Sequence, residues 1–505
     1  MQSFQVLWLK RDLRWQDQDA LQAALAEELP LIVLFCFEPL QMAHQDSSPR
    51  HRANQEDLLA EMLAQAPHFQ RQFLILEADA DRVLKTLIPT GLSLLHSHRE
   101  HGLKLSYERD KRISEICRKA NVRWCEYDHN GVQRALQNRD HWDENWRSYM
   151  QGPLQKTKVP HSHYLETENL EAIELALKKA GIQSSTAKLK ERKPQLSREK
   201  SLKRLDSFLA TGAQNYQAHI GSPDFSRKSC SRLSTALAWG ALSLREVYQK
   251  SLETYQAKAY KKDLKAFISR LHWHSHFIQK FEMEMRMESE NLNRGYNALR
   301  TECNPEYLET WKKGETGFPL VDACMRAVAE TGYLNFRMRA MVVSFWSHIL
   351  WQPWQAAVHH LAACFEDYIP GIHYPQFQMQ SSVTGINTIR IYNPVKQSLE
   401  KDAEANFIRE WLPELADLPL AFQHEPWKLS PLEQGFYNFK LGRDYPERLI
   451  DLNAAGNFAR EQLWKMKKDP LVLQENQRIL RKHTLANRSV EHRSRKVLKQ
   501  MNEHG

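Results

Sequence analysis

The sequence predicts an α/β N-terminal domain on a parallel sheet, followed by an all-α domain. Within the first 135 residues, short apolar runs alternate with stretches of helical period. From about Leu205 onward the strand-like runs almost vanish, and apolar residues recur at threes and fours. At 505 residues the chain is too long for one compact core, so more than one domain is expected.

The runs 4–9, 31–37, 73–77, 92–96 and 122–127 read as buried strands. Between them, 53–66 and 107–120 carry a helical period. Buried strands separated by helices imply a parallel sheet. No GxGxxG follows the first strand, so a Rossmann dinucleotide site is not signalled. With the α/β domain set at 1–135, the charged, proline-punctuated stretch 136–204 reads as an inter-domain linker. Its basic run 186–204 is expected at the surface. Across 205–465, Leu264, Phe267, Ile268, Leu271, Ile278 and Phe281 form one helical stripe. Val321, Cys324, Met325 and Val328 form a second, and Met338, Met341, Val342 and Phe345 a third. The remainder, 466–505, reads as a basic tail, either a helix or a disordered arm. It carries Arg478, Arg481, Lys482, Arg488, Arg493, Arg495, Lys496 and Lys499, which suit phosphate attraction or simple solubility.

Composition narrows the class. With 42% hydrophobic and 26% charged residues the chain is that of a soluble globular protein. No apolar run approaches the ~20 residues of a membrane span. The opening MQSFQVLWLKRDLRW lacks the build of a secretion signal. Seven cysteines, an odd number without paired spacing, imply a reduced, cytoplasmic setting. A net charge of +9 favours a polyanionic partner, although many basic proteins bind none. Fourteen tryptophans suggest stacking surfaces or electron carriers beside ordinary core filling.

The stretch LHWHSHFIQ, 271–279, puts three histidines and a tryptophan close together. On a helix at 100° per residue, His272 and His276 share one flank and His274 lies on the other. They cannot converge on one ion, and no HExxH or CxxC supplies further ligands, so no metal is expected. What remains is a second face of Arg270, Trp273, His274 and Phe277, suited to a ligand wall or to packing against another helix.

Three further stretches stand out. SCSRLSTALAWGALS (229–243) places Ser231 and Ser234 where a helix begins, as an anion cradle or an ordinary cap. GETGFPLVDACMRAVAETGYLNFRMRAMVVSF (314–345) holds a buried-looking Asp322 and the arginines Arg337 and Arg339. An arginine inside an apolar helical domain needs a carboxylate or phosphate partner. DYIPGIHYPQFQMQSSVTGINTIRIYNP (367–394) reads as a long loop of the length usually reserved for a site.

Together these motifs resemble the photolyase/cryptochrome family, from Val6 to about Pro446. VLWLKRDLRWQDQDAL is similar to its opening strand and turn. SRLSTALAWGALS, GETGFPLVDACMRAV, TGY with RMR, RIYNP, and FIREWLPEL with HEPWK are similar to its helical-domain signatures. The resemblance implies a bent FAD in the helical domain, opening to a basic surface. It implies that Tyr216, Ser231, Arg232, Leu233 and Ser234 hold phosphates and ribitol, with Cys230 where the family usually has threonine. Arg339 and Asp367 match the ion pair beside the flavin ring, and His373 falls near its N5-facing position. Trp273 matches the tryptophan that stacks on damaged bases. Arg270 and His274 replace an acid and an arginine there; Arg270 and Trp273 belong to both the cofactor set and the lesion set, and His274 to the cofactor set. Phe336 and Ala340 flank Arg337 where dimer-repair enzymes tend to have Asn and Met, and Met379 replaces a second stacking tryptophan. In the electron relay, Trp354 matches the middle carrier and Phe377 takes the inner place, while no tryptophan lies near Asn291. Trp273, Phe377 and Trp354 are therefore the expected catalytic positions. Iron–sulfur relatives need four cysteines late in the chain, and none lies beyond Cys364. The segment 97–112 lies where an antenna pigment, a folate or a deazaflavin, is contacted. The implied function is light-dependent repair of pyrimidine lesions in UV-damaged DNA, single- or double-stranded, by a cytoplasmic monomer. The alternative is a blue-light photoreceptor that binds FAD without repair.

Overall fold

The computed structural model describes residues 2–157 and 159–484. Six strands form one sheet in the order β5-β4-β1-β2-β3-β6. β1 (Phe4–Leu9), β2 (Leu31–Cys36), β3 (Phe73–Glu77), β4 (Leu92–His98) and β5 (Arg123–Tyr127) run parallel. The two-residue β6 (Gln183–Ser184) closes the β3 edge antiparallel, Leu76 opposite Ser184. The helices α1 (Asp19–Ala26), α2 (Pro49–Gln65), α3 (Ala80–Leu87) and α4 (Lys104–Lys119) cover both faces of the sheet. Side chains of β1 therefore alternate between two cores. Leu7 and Leu9 pack with Leu58, Leu59 and Met62 of α2. Phe4, Val6 and Trp8 pack with Val83, Leu84 and Ile113 from α3 and α4. Burial on both faces explains why these strands read as continuous apolar runs.

The stretch 136–204, expected as a linker, is built into both cores. α5 (Trp142–Gln151) contributes Trp142, Trp146 and Met150 to one. α6 (Thr167–Lys179) contributes Leu170, Ile173 and Leu177 to the other. Its charges lie between the apolar positions of these helices, which obscured their period.

Beyond residue 205 every element among the described residues is helical. Those that shape the site are α7 (Ser234–Trp239), α8 (Lys261–Met283), α9 (Pro319–Thr331), α10 (Phe336–Ser344), α11 (Gln355–Cys364) and α12 (Pro370–Gln380). α12 packs against both α8 and α10. It lies where a long loop was expected, because its prolines and glycine read as loop punctuation. Pro370 sits in the first turn, where no N–H partner is needed. Pro375 lies four residues after Gly371, and Gly371 lets the helices approach: a Cβ there would stand 2.9 Å from the Ile278 Cα of α8. Part of the expected basic tail is also an ordered helix, α13 (Pro470–His483). Its Val472 and Ile479 enter the helical core, and Arg478 pairs with Glu284 at 2.9 Å. Arg488, Arg493, Arg495, Lys496 and Lys499 lie outside the described residues.

The two lobes are joined through backbone carbonyls. Arg50 of α2 donates to the carbonyls of Cys364 (2.7 Å), Ala329 (3.0 Å) and Glu330 (3.1 Å). His51 meets the Phe365 carbonyl at 2.8 Å, and Arg11 donates to that of Tyr368 at 2.8 Å.

Candidate functional site

The three histidines of α8 go to three surroundings. His272 bonds Asp143 at 2.7 Å and lies against the rings of Trp142 and Trp146. His276 accepts from Arg139 at 3.0 Å. His274 is different: both ring nitrogens are buried without a hydrogen-bond partner. Burial pushes its imidazole down to about 4, against the opposing charge of Asp367, so it is neutral at physiological pH. Two unpartnered buried nitrogens carry a desolvation cost that a bound ligand would relieve.

Asp367 is held by Arg339 of α10, whose Nη2 lies 3.0 and 2.9 Å from the two carboxylate oxygens. The guanidinium also donates from Nε to the Leu334 carbonyl at 2.8 Å and lies 3.9 Å from the Phe365 ring centre. Asn335 caps α10 by accepting from Met338 N at 2.9 Å, and its amide reaches the Ser222 carbonyl at 2.8 Å. That cap fixes Arg339 relative to the segment before α7. Burial alone would raise the Asp367 carboxyl; Arg339 and the Ser234 hydroxyl outweigh it and hold it below the usual range.

The 230–234 stretch arrives from the other side. Arg232 takes a left-handed conformation, φ 51°, with its guanidinium 3.6 Å from the Tyr333 ring centre and 3.8 Å from Glu366. Leu233 is buried, while Cys230, Ser231 and Ser234 are half-buried. Burial raises the Cys230 thiol to about 11. Tyr216 is buried between the rings of Phe208 and Phe267, and its phenol feels Cys230, Arg270 and Tyr333. Tyr216, Cys230, Arg232, Ser234, His274, Arg339 and Asp367 are thus linked by contacts or by charge across five segments. The side chains of Arg232 and Arg339 keep 22% and 28% of their surface exposed, so two cations remain open to a polyanionic ligand. Unpartnered imidazole nitrogens, an ion pair and these cations suit a flavin dinucleotide.

The expected lesion residues lie on α8, α10 and α12. Trp273 is half-buried on α8, its ring 5.1 Å from His276 and 5.5 Å from Phe277. Exposed Arg270 lies 5.9 Å from the ring of Phe336, itself 42% exposed. Arg337 lies 5.8 Å from the Tyr392 ring, Met379 is half-buried and Ala340 is buried. Phe377 and Trp354 are both buried, with ring centres 6.4 Å apart, and Trp354 donates to Asn291 at 2.7 Å. His373 is buried among Phe365, Tyr368, Tyr374 and Phe377, with Nε2 committed to the Val358 carbonyl at 2.9 Å.

Sequence reasoning missed Tyr333 and Glu366 beside Arg232, and a buried group around Asp46. The Asn335 cap was findable, since an asparagine directly before an apolar-periodic run is a helix-start signal. Asp322, expected to be buried, serves the fold. It accepts from Thr316 N, Thr316 Oγ1, Gly317 N and Tyr445 Oη at 2.9, 2.6, 3.0 and 2.5 Å.

Comparison with known proteins places this geometry. Residues 5–136 match the DNA photolyase family model, and residues 267–465 match the FAD binding domain of DNA photolyase. A deoxyribodipyrimidine photo-lyase of Alkalihalophilus pseudofirmus is 32% identical over 51% of this chain and 53% of its own length. With that relative the match spans about half of the curated protein. A cryptochrome DASH of Gloeobacter violaceus is 27% identical over 90% of this chain and 95% of its own. Among solved structures, a bacterial class III photolyase from Agrobacterium tumefaciens superposes with a TM-score of 0.74 at 20% identity, covering 93% of this chain and 98% of that one. An archaeal photolyase from Sulfolobus tokodaii, solved with two FAD molecules, gives 0.72 at 22% identity, covering 91% and 99%. No helix among the described residues is long and apolar enough to cross a membrane. The α/β lobe, the helical lobe and both family models agree: this chain belongs to the DNA photolyase/cryptochrome family.

Proposed function

We propose that the protein is a flavin-dependent photolyase that repairs pyrimidine lesions in UV-damaged DNA. One observation carries the reading. A single turn of α8 holds Trp273, a half-buried stacking ring, next to His274, whose buried nitrogens lack partners and sense Asp367. Reduced FAD, when bound, supplies the photoexcited electron that opens the lesion's carbon–carbon bonds and recovers it afterwards. This chain's residues bind and orient. Tyr216, Cys230, Ser231, Arg232, Leu233 and Ser234 would hold the phosphates and ribitol, and Arg339 with Asp367 would flank the ring beside His274 and His373. Trp273 would stack on an extruded base, worth about 1–3 kcal/mol, which offsets much of the few kcal/mol that flipping costs. Arg270, Phe336, Arg337, Ala340 and Met379 would frame the lesion. A second, light-gathering pigment is supported by the cleft between the lobes, lined by Trp8, Lys10, Cys36, Glu38 and Arg109.

The rival reading, a blue-light receptor without repair, is favoured by Arg270: an exposed cation stands where the resemblance implies an acid. The test is illumination of the reduced protein with oligonucleotides carrying either cyclobutane or (6-4) lesions. Loss of lesions in wild type, and no loss in a Trp273→Ala variant that retains flavin, supports repair. No light-dependent loss of either lesion leaves the receptor.

A further inference from the structure

The aromatic run that the resemblance implies for electron supply is interrupted at both ends. Phe377 occupies the inner place and is a poor carrier of an electron hole. Beyond the middle carrier, Trp354, the outer place holds no tryptophan: Trp354 donates to Asn291, which is itself buried. A different set of rings reaches the same core. Tyr374 lies 6.2 Å from Trp354 and 5.8 Å from His373, and Tyr368 lies 5.5 Å from His373. Tyr368 follows Asp367 directly in the chain. Both tyrosines are buried, and both phenols donate to one oxygen, Oδ2 of Asp46, Tyr374 at 3.0 Å and Tyr368 closer still. The other oxygen, Oδ1, accepts from His359 Nδ1 at 2.6 Å. Asp46 is 1% exposed while the His359 side chain is 34% exposed, and His44 lies 3.9 Å from the carboxylate.

Two phenols on one buried carboxylate are an unusual use of buried polar groups. Oxidised tyrosine is a very strong acid, so a buried phenol gives up an electron readily only when a base at hydrogen-bond distance takes its proton. Asp46 is such a base. Burial would raise its carboxyl, but His359 and Tyr368 hold it below the usual range and ionised. Burial and the Asp46 charge raise both phenols, so they stay protonated until an electron leaves.

We infer that Tyr368 and Tyr374, bonded to Asp46, are the terminal electron donor that recharges the bound flavin, in place of a surface tryptophan. The inference rests on the flavin reading above. In the step, a tyrosine gives one electron to the photoexcited oxidised flavin through the adjoining rings. Its O–H bond breaks, and the proton forms a new O–H bond on Asp46. An external thiolate then returns one electron to the phenoxyl from the His359 side, becoming a thiyl radical, and the proton on Asp46 goes back to the phenoxyl oxygen as its O–H bond re-forms.

The test uses the full FAD-loaded chain and a readout independent of repair. Oxidised protein with thiol is illuminated, and loss of oxidised-flavin absorbance is timed for wild type, Tyr374→Phe, Tyr368→Phe, the double variant and Asp46→Asn. Freeze-trapped wild type carrying ring-deuterated tyrosine is read by electron paramagnetic resonance. The expected result is an order-of-magnitude slowing in the double variant, a slowing in Asp46→Asn, and a radical signal that narrows with deuteration. A double variant that bleaches at the wild-type rate, or a radical unaffected by tyrosine deuteration, overturns the inference while the functional reading stands. Should the double variant fail to hold flavin, the deuterated wild type decides. A wild type that takes up no flavin removes both.

Discussion

Replacing Asp322 by alanine tests the packing logic of the helical lobe. Its carboxylate takes the N–H of Thr316 and Gly317, the Thr316 hydroxyl and the Tyr445 phenol, all in surroundings closed to water: Thr316 and Asp322 are 0% exposed and Tyr445 1%. After truncation Thr316 Oγ1 still accepts from Phe318 N at 3.3 Å. Two backbone N–H groups, the Thr316 O–H and the Tyr445 O–H lose their acceptor. At about 1–3 kcal/mol for each unsatisfied group, with water entry moderating the sum, the loss is about 3–5 kcal/mol. That is a large share of the roughly 5–15 kcal/mol of a folded domain. Asp322→Asn keeps one carbonyl for Thr316 but turns an N–H₂ towards Gly317, and loses about 1–2 kcal/mol. Urea unfolding followed by tryptophan fluorescence measures both, since Trp311 and Trp346 sit in the same core. An alanine variant within about 0.5 kcal/mol of wild type, the range of ordinary surface changes, refutes the reasoning.

His274→Leu removes two unpartnered nitrogens, so the apoprotein should gain about 1 kcal/mol while flavin affinity falls. Calorimetric melting of the apoprotein and flavin titration read the two effects, and equal movement in the same direction counts against a ligand-facing His274. Arg339→Lys offers one ammonium for two Asp367 oxygens and cannot also reach Leu334, so purified protein should carry less flavin with unchanged far-ultraviolet dichroism. Full flavin content in that variant would remove Arg339 from the site. Acid should destabilise the fold. Burial pushes His51, His96, His373 and His483 from 6.5 to about 4, so between those values the unfolded chain holds more protons and unfolding is favoured as pH falls. Each is worth up to about 3 kcal/mol at 1.36 kcal/mol per unit. Asp322, raised by burial to about 6, pulls the other way, as do the carboxyls of Glu38, Glu288, Glu366 and Asp402, while His274 and His360, also lowered to about 4, add to the histidine side. A melting temperature that stays flat from neutral pH to the low end of that window contradicts this.

The sheet was legible because its strands are buried on both faces and separated by helices, so β1 and β3 begin and end where their apolar runs do. The helix carrying Trp273 was legible from Leu264, Phe267, Leu271 and Ile278, and the angular spacing of its histidines correctly separated His274 from His272 and His276. α12 was hidden because Pro375 and Gly371 ordinarily punctuate loops, and the role of Gly371 depends on Ile278, far away in the chain. The Asp46 group was hidden for a related reason. An aspartate, a histidine and two tyrosines scattered from 46 to 374 carry no common spacing, and only the meeting of the lobes joins them. The resemblance, and nothing in spacing alone, singled out Arg339 over Arg337.

The clasp formed by Arg50, His51 and Arg11 has a consequence for how the polypeptide can be divided. Those three side chains satisfy carbonyls at the ends of α9 and α11 and in the segment before α12. Severed from residues 1–204, the helical portion would present those oxygens to solvent together with a bare greasy flank that includes Trp239 and Leu271. Co-expressed fragments should therefore reassemble with each other rather than persist separately, and transplanting the sheet of a distant relative would demand rebuilding the seam residue by residue.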